Sequence, residues 1–364
     1  MNPQTPWLNP ATTPLIIAGP CSAETEEQVL ETARLLRKHI PEASYFRAGV
    51  WKPRTRPGQF EGAGAEALPW LQRVRQEFGF KLAVEIANAE HASLALEHGI
   101  DLLWLGARTT VNPFSVQEVA DALAGHEGPV LVKNPINPDL GLWMGALERL
   151  ERAGIRQLGA IHRGFSTTGK TPYRNEPQWH LPIELKRQMP NLPLLCDPSH
   201  IAGSRARIPE LCQRALDLQM DGLMIETHPT PEAAWSDAAQ QLRPEDLQEI
   251  LARLVVRREK SEEISYEVQM EEYRKRIDQI DQELIHLLAE RMDISRMIGH
   301  LKKRQQVTIL QLKRWDEMIR SRLELAQDLG LEADFGQTLF QLIHEQSINR
   351  QNQIMNRTES PGNQ

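Results

Sequence analysis

Eight short apolar runs, each followed by a stretch of helical period, constrain this chain more than any other feature. The runs are 15–20, 45–50, 81–86, 102–107, 129–134, 158–163, 193–198 and 222–227. Each is mostly apolar along its length, as in a strand buried on both faces. The amphipathic stretches between and after them are 26–39, 65–78, 89–97, 115–124, 144–152, 183–189, 207–218 and 231–242. Strands alternating with helices over about 245 residues imply a parallel sheet covered on both faces, and eight repeats close it into a (β/α)8 TIM barrel. The alternative, an open doubly wound sheet, calls for a Gly-rich phosphate turn after its first strand. Gly19-Pro20-Cys21-Ser22 is not such a turn.

After Arg243-Pro244 the spacing predicts a helix to about 258, then a charged linker, 257–266, which is either a coil or a solvated helical extension. Beyond it the pattern becomes purely helical. Ile277, Ile280, Leu284, Leu287, Leu288, Ile294, Ile298 and Leu301 recur at three- and four-residue spacing. This predicts one long helix from about 267, a second over 309–329 and a third over 335–354. The expected organisation is a barrel over 1–256, an all-α three-helix domain over 267–355 and a disordered tail over 356–364. Three helices bury little core alone, so a homodimer sharing the bundle is expected.

Composition removes several classes of function. Among 364 residues no run approaches a membrane span, and the N-terminal 13 residues are polar and Pro-rich, without the pattern of a signal peptide. A cytoplasmic location is expected. The net charge of −7 disfavours non-specific nucleic-acid binding. Three widely spaced cysteines, Cys21, Cys196 and Cys212, do not make a disulfide framework. Cys196 and Cys212 fit buried structural thiols.

In such a barrel, chemistry sits at the C-terminal ends of the strands. All eight ends carry polar candidates: Cys21; Arg47 with Lys52 and Arg54; Glu85; Arg108; Lys133; Arg163; Asp197 to His200; and Glu226 to His228, with Asp237 beyond. The cations form a ring suited to polyanionic ligands. Cys21, His200, Glu226 and Asp237 form a possible mixed sulfur, nitrogen and oxygen metal site.

These residues, together with Lys52-Pro53-Arg54-Thr55, Gly106-Ala107-Arg108, Val132-Lys133-Asn134, Arg163-Gly164 and Ile225-Glu226-Thr227-His228-Pro229, carry a resemblance. In order and spacing, from 14 to about 250, the chain resembles the 3-deoxy-D-arabino-heptulosonate 7-phosphate synthases, in the compact branch shared with the octulosonate 8-phosphate synthases. The resemblance implies condensation of phosphoenolpyruvate with erythrose 4-phosphate. It implies one divalent ion (Mn2+, Fe2+, Co2+ or Zn2+) on Cys21, His200, Glu226 and Asp237. Arg47, Lys52, Arg108, Lys133 and Arg163 would hold phosphoenolpyruvate, and Arg54 and Thr55 the erythrose phosphate. Lys52, and after it Glu85, would relay a proton. The chain departs from the pattern at Arg56, where Ser is more frequent, and at Ala238, where Gly is common.

In the helical region Arg291 and Lys302 are nearly eclipsed, about 16 Å apart along the axis at 1.5 Å per residue. Two long side chains can close on a small dianion between them. Arg274 lies roughly 25 Å before Arg291 and turned away, within reach of a partner subunit's site instead. Ser347 and Gln351 share a face. Arg274 to Asp281, Leu288 to Arg291, Gly299 to Lys302 and Leu339 to Ser347 resemble the all-helical chorismate mutases. That resemblance implies rearrangement of chorismate to prephenate. Arg274 (from the partner), Arg291 and Arg314 would bind carboxylates, Lys302 and Gln351 the ether oxygen, and Ser347 would assist. Gln311 and Trp315 replace acidic residues that often contact the substrate hydroxyl.

The expectation is a bifunctional enzyme of aromatic biosynthesis, with prephenate or chorismate inhibiting the barrel through the helical domain. The alternatives are an octulosonate-type barrel, or a helical domain that only binds and dimerises.

Overall fold

A computed structural model describes residues 7–8, 13–52, 58, 60–169, 171–258, 261 and 263–356. The chain divides into two compact units, Met1–Glu259 and Lys260–Gln364.

In the first unit eight parallel strands close into a barrel in sequential order. They are β1 Leu15–Gly19, β2 Tyr45–Ala48, β3 Lys81–Ile86, β4 Leu102–Leu105, β5 Val130–Lys133, β6 Leu158–His162, β7 Leu194–Cys196 and β8 Gly222–Glu226. Around them run α1 Glu26–His39, α2 Ala67–Phe78, α3 Ala89–Glu97, α4 Ala107–Thr110, α5 Pro113–Ala122, α6 Leu140–Arg152, α7 His180–Gln188, α8 Pro198–Ala202, α9 Ile208–Asp217 and α10 Pro244–Arg253. The strand starts follow the apolar runs closely. Several strands end short of their run because the last residues turn out of the ladder into the mouth.

Two apolar layers follow from the two-residue period of a strand. One phase points outward: Phe46, Val84, Leu103, Val132 and Ile225 pack against the helices. The other fills the barrel with Ile17, Tyr45, Ala83, Leu102, Trp104, Leu131, Ile161, Leu195 and Met224. Trp7 packs against this inner plug, and its Nε1 donates to the Leu158 carbonyl at 2.7 Å. Side-chain caps fix where helices begin: Thr25, Asn88, Asn112 and Asp139 each accept a backbone N–H from the first turn they precede.

Two helical expectations need correction. Segment 231–242 contains only a 3-10 turn, Pro231–Ala233. Asp237 sits at φ 50°, outside helical backbone, and Leu242 bridges to Thr227, so this segment is a loop folded over the mouth. The helix after Pro244 ends at Arg253, where Leu254 becomes extended.

The second unit has α11 Ile264–Gln305, α12 Leu312–Asp328 and α13 Ala333–Met355. At 1.5 Å per residue the 42-residue α11 is about 63 Å long. It starts at Ile264, inside the expected linker, because Tyr266 and Glu267 already donate to the Glu263 carbonyl. Residues 357–364 of the expected tail lie outside the described residues, as do Glu259, Lys260 and Glu262 of the linker. Helix α13 packs on both others, and Gly299 brings α11 so close that a Cβ there would lie 3.2 Å from Gln351 Cα. Among the described residues of this unit nothing covers the apolar stripe on α11. Its eight members from Ile277 to Leu301 remain 38–61% exposed. Among the described residues no helix is long and apolar enough to cross a membrane.

Trp143 on α6 is fully buried, donates from Nε1 to the Val132 carbonyl at 3.0 Å and meets Phe165 edge-on. Trp143→Ala should therefore lower the stability of the barrel unit by about 3–5 kcal/mol, read as an earlier barrel transition in denaturant. A loss of under about 1 kcal/mol would mean that the layer between strands and helices is not close-packed there.

Candidate functional site

The inner phase of the strands builds the site. Two residues beyond Tyr45, Ala83, Leu131, Ile161, Leu195 and Met224 of the plug stand Arg47, Glu85, Lys133, Arg163, Asp197 and Glu226. The apolar interior thus passes directly into a layer of charge. Trp104, the highest plug residue of β4, forms the floor of that layer. Arg47 and Lys133 lie over its ring at 5.2 and 5.7 Å from the centroid, and its Nε1 donates to Glu85 at 2.9 Å.

The charges form a lattice of opposite signs. Lys133 Nζ is 2.7 Å from Asp197 Oδ2, and Arg47 Nη2 is 3.4 Å from Glu226 Oε1. Asp197 also begins α8: its Oδ1 accepts the His200 N–H, and Pro198 follows at a position that needs no donor. Burial opposes the charge of Asp197, but His200, Lys133 and Arg47 outweigh it and hold the carboxyl far below its usual range. Burial likewise opposes Arg47, yet Glu226, Asp197 and Cys21 raise its pKa. Burial brings Arg163 down to about 10, so it stays cationic at neutral pH. Its Nη1 donates to Asn175 Oδ1 at 2.7 Å, and Asn134 Oδ1 accepts its backbone N–H. Arg108 lies exposed on α4, near enough to Arg163 to act on its charge.

Cys21 Sγ, Glu226 and Asp237 place ligand atoms within 4.8 Å of one another. His200 stands beside this group, its Nε2 3.7 Å from Glu226 Oε1. Each donor is aimed by a neighbour. Asp197 Oδ2 lies 2.8 Å from His200 Nδ1, which leaves Nε2 facing the group. Gln240 donates to Glu226 Oε2 at 2.6 Å, and Glu226 Oε1 is buried without a hydrogen bond. Arg174 holds Asp237 Oδ1 at 2.9 Å, and Asp237 Oδ2 faces Cys21 Sγ at 3.2 Å. A thiol, an imidazole and two carboxylates converging this way fit a divalent transition metal. Lys52 Nζ reaches Cys21 Sγ at 2.5 Å and the Cys21 carbonyl at 2.9 Å. Burial, with Glu226 next, pushes the Cys21 thiol up to about 12, and the Lys52 ammonium opposes that rise. Burial opposes the charge of Lys52, but Cys21, Glu226 and Asp237 raise its pKa.

In the helical unit Arg291 Nη1 donates to Ser347 Oγ at 2.6 Å, and Gln351 Nε2 to Ser295 Oγ at 3.3 Å. Lys302 Nζ caps the Ile309 carbonyl at 2.5 Å. Burial lowers the pKa of His344, and the charges of Arg291 and Lys302 lower it further. Trp315 stacks on His344 at 3.8 Å. The structure thus brings Arg291, Lys302, Ser347 and Gln351 to the faces that α11 and α13 turn to each other. It does not bring Arg274 or Arg314 there: both are exposed, and Arg314 lies 3.8 Å from Glu317 of its own helix.

Arg54 and Thr55 lie outside the described residues. Sequence reasoning missed Trp104, Arg174, Asn175 and Gln240 in the barrel and Ser295 and His344 in the helices, and it named Asn134 without a role. Trp104 could have been found by extending the inner phase from Leu102. The loop residues carry no period that would reveal them. Cys196 and Cys212 are buried free thiols away from this group.

Comparison with known proteins agrees with this division. Residues 10–262 match the DAHP synthetase I family, and residues 273–352 match chorismate mutase type II. A phospho-2-dehydro-3-deoxyheptonate aldolase of Thermotoga maritima is 30% identical over 239 residues, covering 66% of this chain and 68% of the relative. A 2-dehydro-3-deoxyphosphooctonate aldolase of Nitratidesulfovibrio vulgaris is 25% identical, covering 61% and 84%. The crystal structure of the Thermotoga maritima phospho-2-dehydro-3-deoxyheptonate aldolase, a DAHP synthase, superposes with a TM-score of 0.59 at 29% identity, covering 65% of this chain and 67% of that one.

Proposed function

This chain belongs to the DAHP synthetase I family and continues into a chorismate mutase type II domain, and from that premise we propose how its residues divide the two reactions. The barrel condenses phosphoenolpyruvate with erythrose 4-phosphate. The observation that carries this reading is the layer of buried cations above Trp104, beside one tight group of thiol and carboxylates. Arg47, Lys52, Arg108, Lys133 and Arg163 hold the phosphate and carboxylate of phosphoenolpyruvate, and Arg54 and Thr55 the second phosphate. Cys21, His200, Glu226 and Asp237 hold a divalent metal. When bound, that ion supplies a Lewis acid that polarises the aldehyde. As the enol carbon attacks, the aldehyde oxygen needs a proton, and Lys52 Nζ is the donor at hand. Water then adds at the cationic carbon and phosphate leaves.

The helical unit rearranges chorismate by holding its compact conformer. Arg291 binds one carboxylate and Arg314 the other after turning from its exposed position beside Glu317, Lys302 and Gln351 donate to the ether oxygen as charge builds there, and Ser347 orients Arg291. Arg274 completes the site from a second copy, in a homodimer that covers the exposed stripe on α11. Prephenate or chorismate bound there inhibits the barrel, with a coupling of about 1–3 kcal/mol that is reciprocal.

Four measurements test this reading. Thorough chelation should abolish condensation, Mn2+ or Co2+ should restore it, and erythrose 4-phosphate should be used far faster than arabinose 5-phosphate. Full activity in chelator sinks the metal site, and preference for the pentose moves the barrel to octulosonate chemistry. For the mutase, Arg274→Ala and Arg291→Ala should each lose about 10²-fold in turnover or more, and after subunit exchange their mixture should regain part of it. No recovery in verified heterodimers would place Arg274 outside the partner's site. Finally, prephenate should inhibit condensation by the wild-type protein but much less by Arg291→Ala. Equal inhibition of both, or none of either, would remove the coupling through the helical site.

A further inference from the structure

The loop between β6 and α7 carries two consecutive residues that touch both halves of the barrel site. Arg174 Nη1 donates to Asp237 Oδ1 at 2.9 Å and to Gln240 Oε1 at 2.6 Å. Gln240 in turn donates to Glu226 Oε2 at 2.6 Å. One guanidinium therefore anchors both carboxylates of the candidate metal group, one directly and one through an amide. The next residue, Asn175, is buried. Its Oδ1 accepts from Arg163 Nη1 at 2.7 Å, and its Nδ2 donates to the His200 carbonyl at 2.6 Å. It thus holds a cation of the phosphate-binding layer together with the backbone of the fourth candidate ligand.

The backbone of this pair is pinned on several sides. The Arg174 and Asn175 N–H groups both donate to the Ile201 carbonyl in α8, at 3.0 and 3.3 Å. Phe165 and Glu176 exchange hydrogen bonds of 2.8 Å across the base of the loop. The segment also threads between two glycines. A Cβ on Gly164 would lie 2.7 Å from the Asn175 carbonyl oxygen, and one on Gly203 would lie 2.5 Å from Arg174 Cβ. Both glycines have positive φ, 77° and 66°, so no other residue type would meet both the backbone and the space.

The need for such an anchor is visible at Asp237. It lies in the loop after β8 at φ 50°, a conformation Asp adopts more readily than most residues, and there it is the contacts of the side chain that aim the carboxylate. Arg174 Nη1 and Cys21 Sγ hold it from two sides. Without Arg174, Asp237 Oδ1 loses its guanidinium, and Gln240 loses the donor that orients it toward Glu226.

We propose that Arg174 and Asn175 are positioning residues that join the metal ligands and the phosphate-binding Arg163 in one hydrogen-bonded frame, so that a divalent cation and phosphoenolpyruvate each tighten the binding of the other. The proposal rests on the metal-dependent condensation described above. Whichever ligand binds first fixes the frame, and the second meets it already ordered. Linkage makes the enhancement equal in both directions.

The test is an equilibrium titration of the metal-free, full-length protein with Mn2+, with free Mn2+ read by its paramagnetic resonance signal, in the absence and presence of phosphoenolpyruvate. In the wild type, phosphoenolpyruvate should tighten Mn2+ by about tenfold. Arg174→Ala should weaken Mn2+ by about 10–100-fold, and Arg174→Lys should recover part of the loss, since an ammonium can keep one of the two hydrogen bonds. Asn175→Ala, which frees the His200 backbone but leaves both carboxylates held, should weaken Mn2+ less than Arg174→Ala does and should erase the enhancement by phosphoenolpyruvate. General loosening of the fold would weaken both ligands together and lower the melting temperature, a different pattern. Should Arg174→Ala not fold, Gln240→Leu asks the same question of the Glu226 arm and should weaken Mn2+. Wild-type Mn2+ affinity in the Arg174 and Gln240 variants, or an intact enhancement in Asn175→Ala, overturns the proposal. An unchanged Mn2+ affinity when phosphoenolpyruvate is added to the wild type also overturns it, while leaving the parent reading in place. A wild-type protein that takes up no Mn2+ removes the parent reading and this one with it.

Discussion

A strand presents alternate side chains to opposite faces, and in a closed barrel one of those faces has nowhere to go but inward. That constraint organises the first unit. Below the mouth the inner phase is apolar and packs as a plug from Ile17 to Met224. One step further along the same phase, the strands and their ends supply Arg47, Glu85, Lys133, Arg163, Asp197 and Glu226. Closure brings to one small area residues that span most of the barrel sequence. The same geometry makes Trp104 both the top of the core and the floor of the site, where its ring lies under two cations.

Burying so many charges is costly unless they pair, and replacing such pairs with apolar residues is often neutral or stabilising. The mouth meets the requirement by alternating signs. Lys133 answers Asp197, Arg47 answers Glu226, and Arg174 answers Asp237. The pairing is incomplete where it matters for chemistry: Glu226 Oε1 and two nitrogens of Arg47 are buried without hydrogen bonds. Those atoms are available to a ligand because the rest of each side chain is already held. Stability alone would favour a dry apolar mouth, so the retained lattice is an argument for function.

The helical unit solves the burial problem differently. Its closest internal contacts are made by small and polar residues, Ser295, Gly299, Ser347 and Gln351, which let α11 and α13 approach and bring Arg291 beside Ser347. Its large apolar residues stay exposed along α11. The stripe on this helix of about 63 Å is the surface that the proposed second copy would cover. The polar groove and the apolar stripe therefore lie on one element, α11, as the proposed sharing of Arg274 between two copies would need.

The order of elements, the closed sheet and the polar ring at its mouth were readable in the sequence, because hydrophobic period is a local property and eight repeats leave few ways to pack. The long helix and the shared face of Arg291 and Lys302 were readable for the same reason. Local pattern misled where the backbone leaves regular structure. Segment 231–242 has helical spacing, yet Asp237 turns at positive φ and the chain folds over the mouth as a loop. Segment 264–266 directly follows the charged run of the expected linker, yet it joins α11 once the Glu263 carbonyl accepts the first bonds. What only the tertiary structure decided is who holds whom. Arg174 meets Asp237 63 residues away, and Asn175 meets His200 25 residues away. Neither loop residue repeats, alternates or stands out in composition. Their partners are set by the closure of the sheet, which brings distant loops to one rim, and no spacing along the chain encodes that distance.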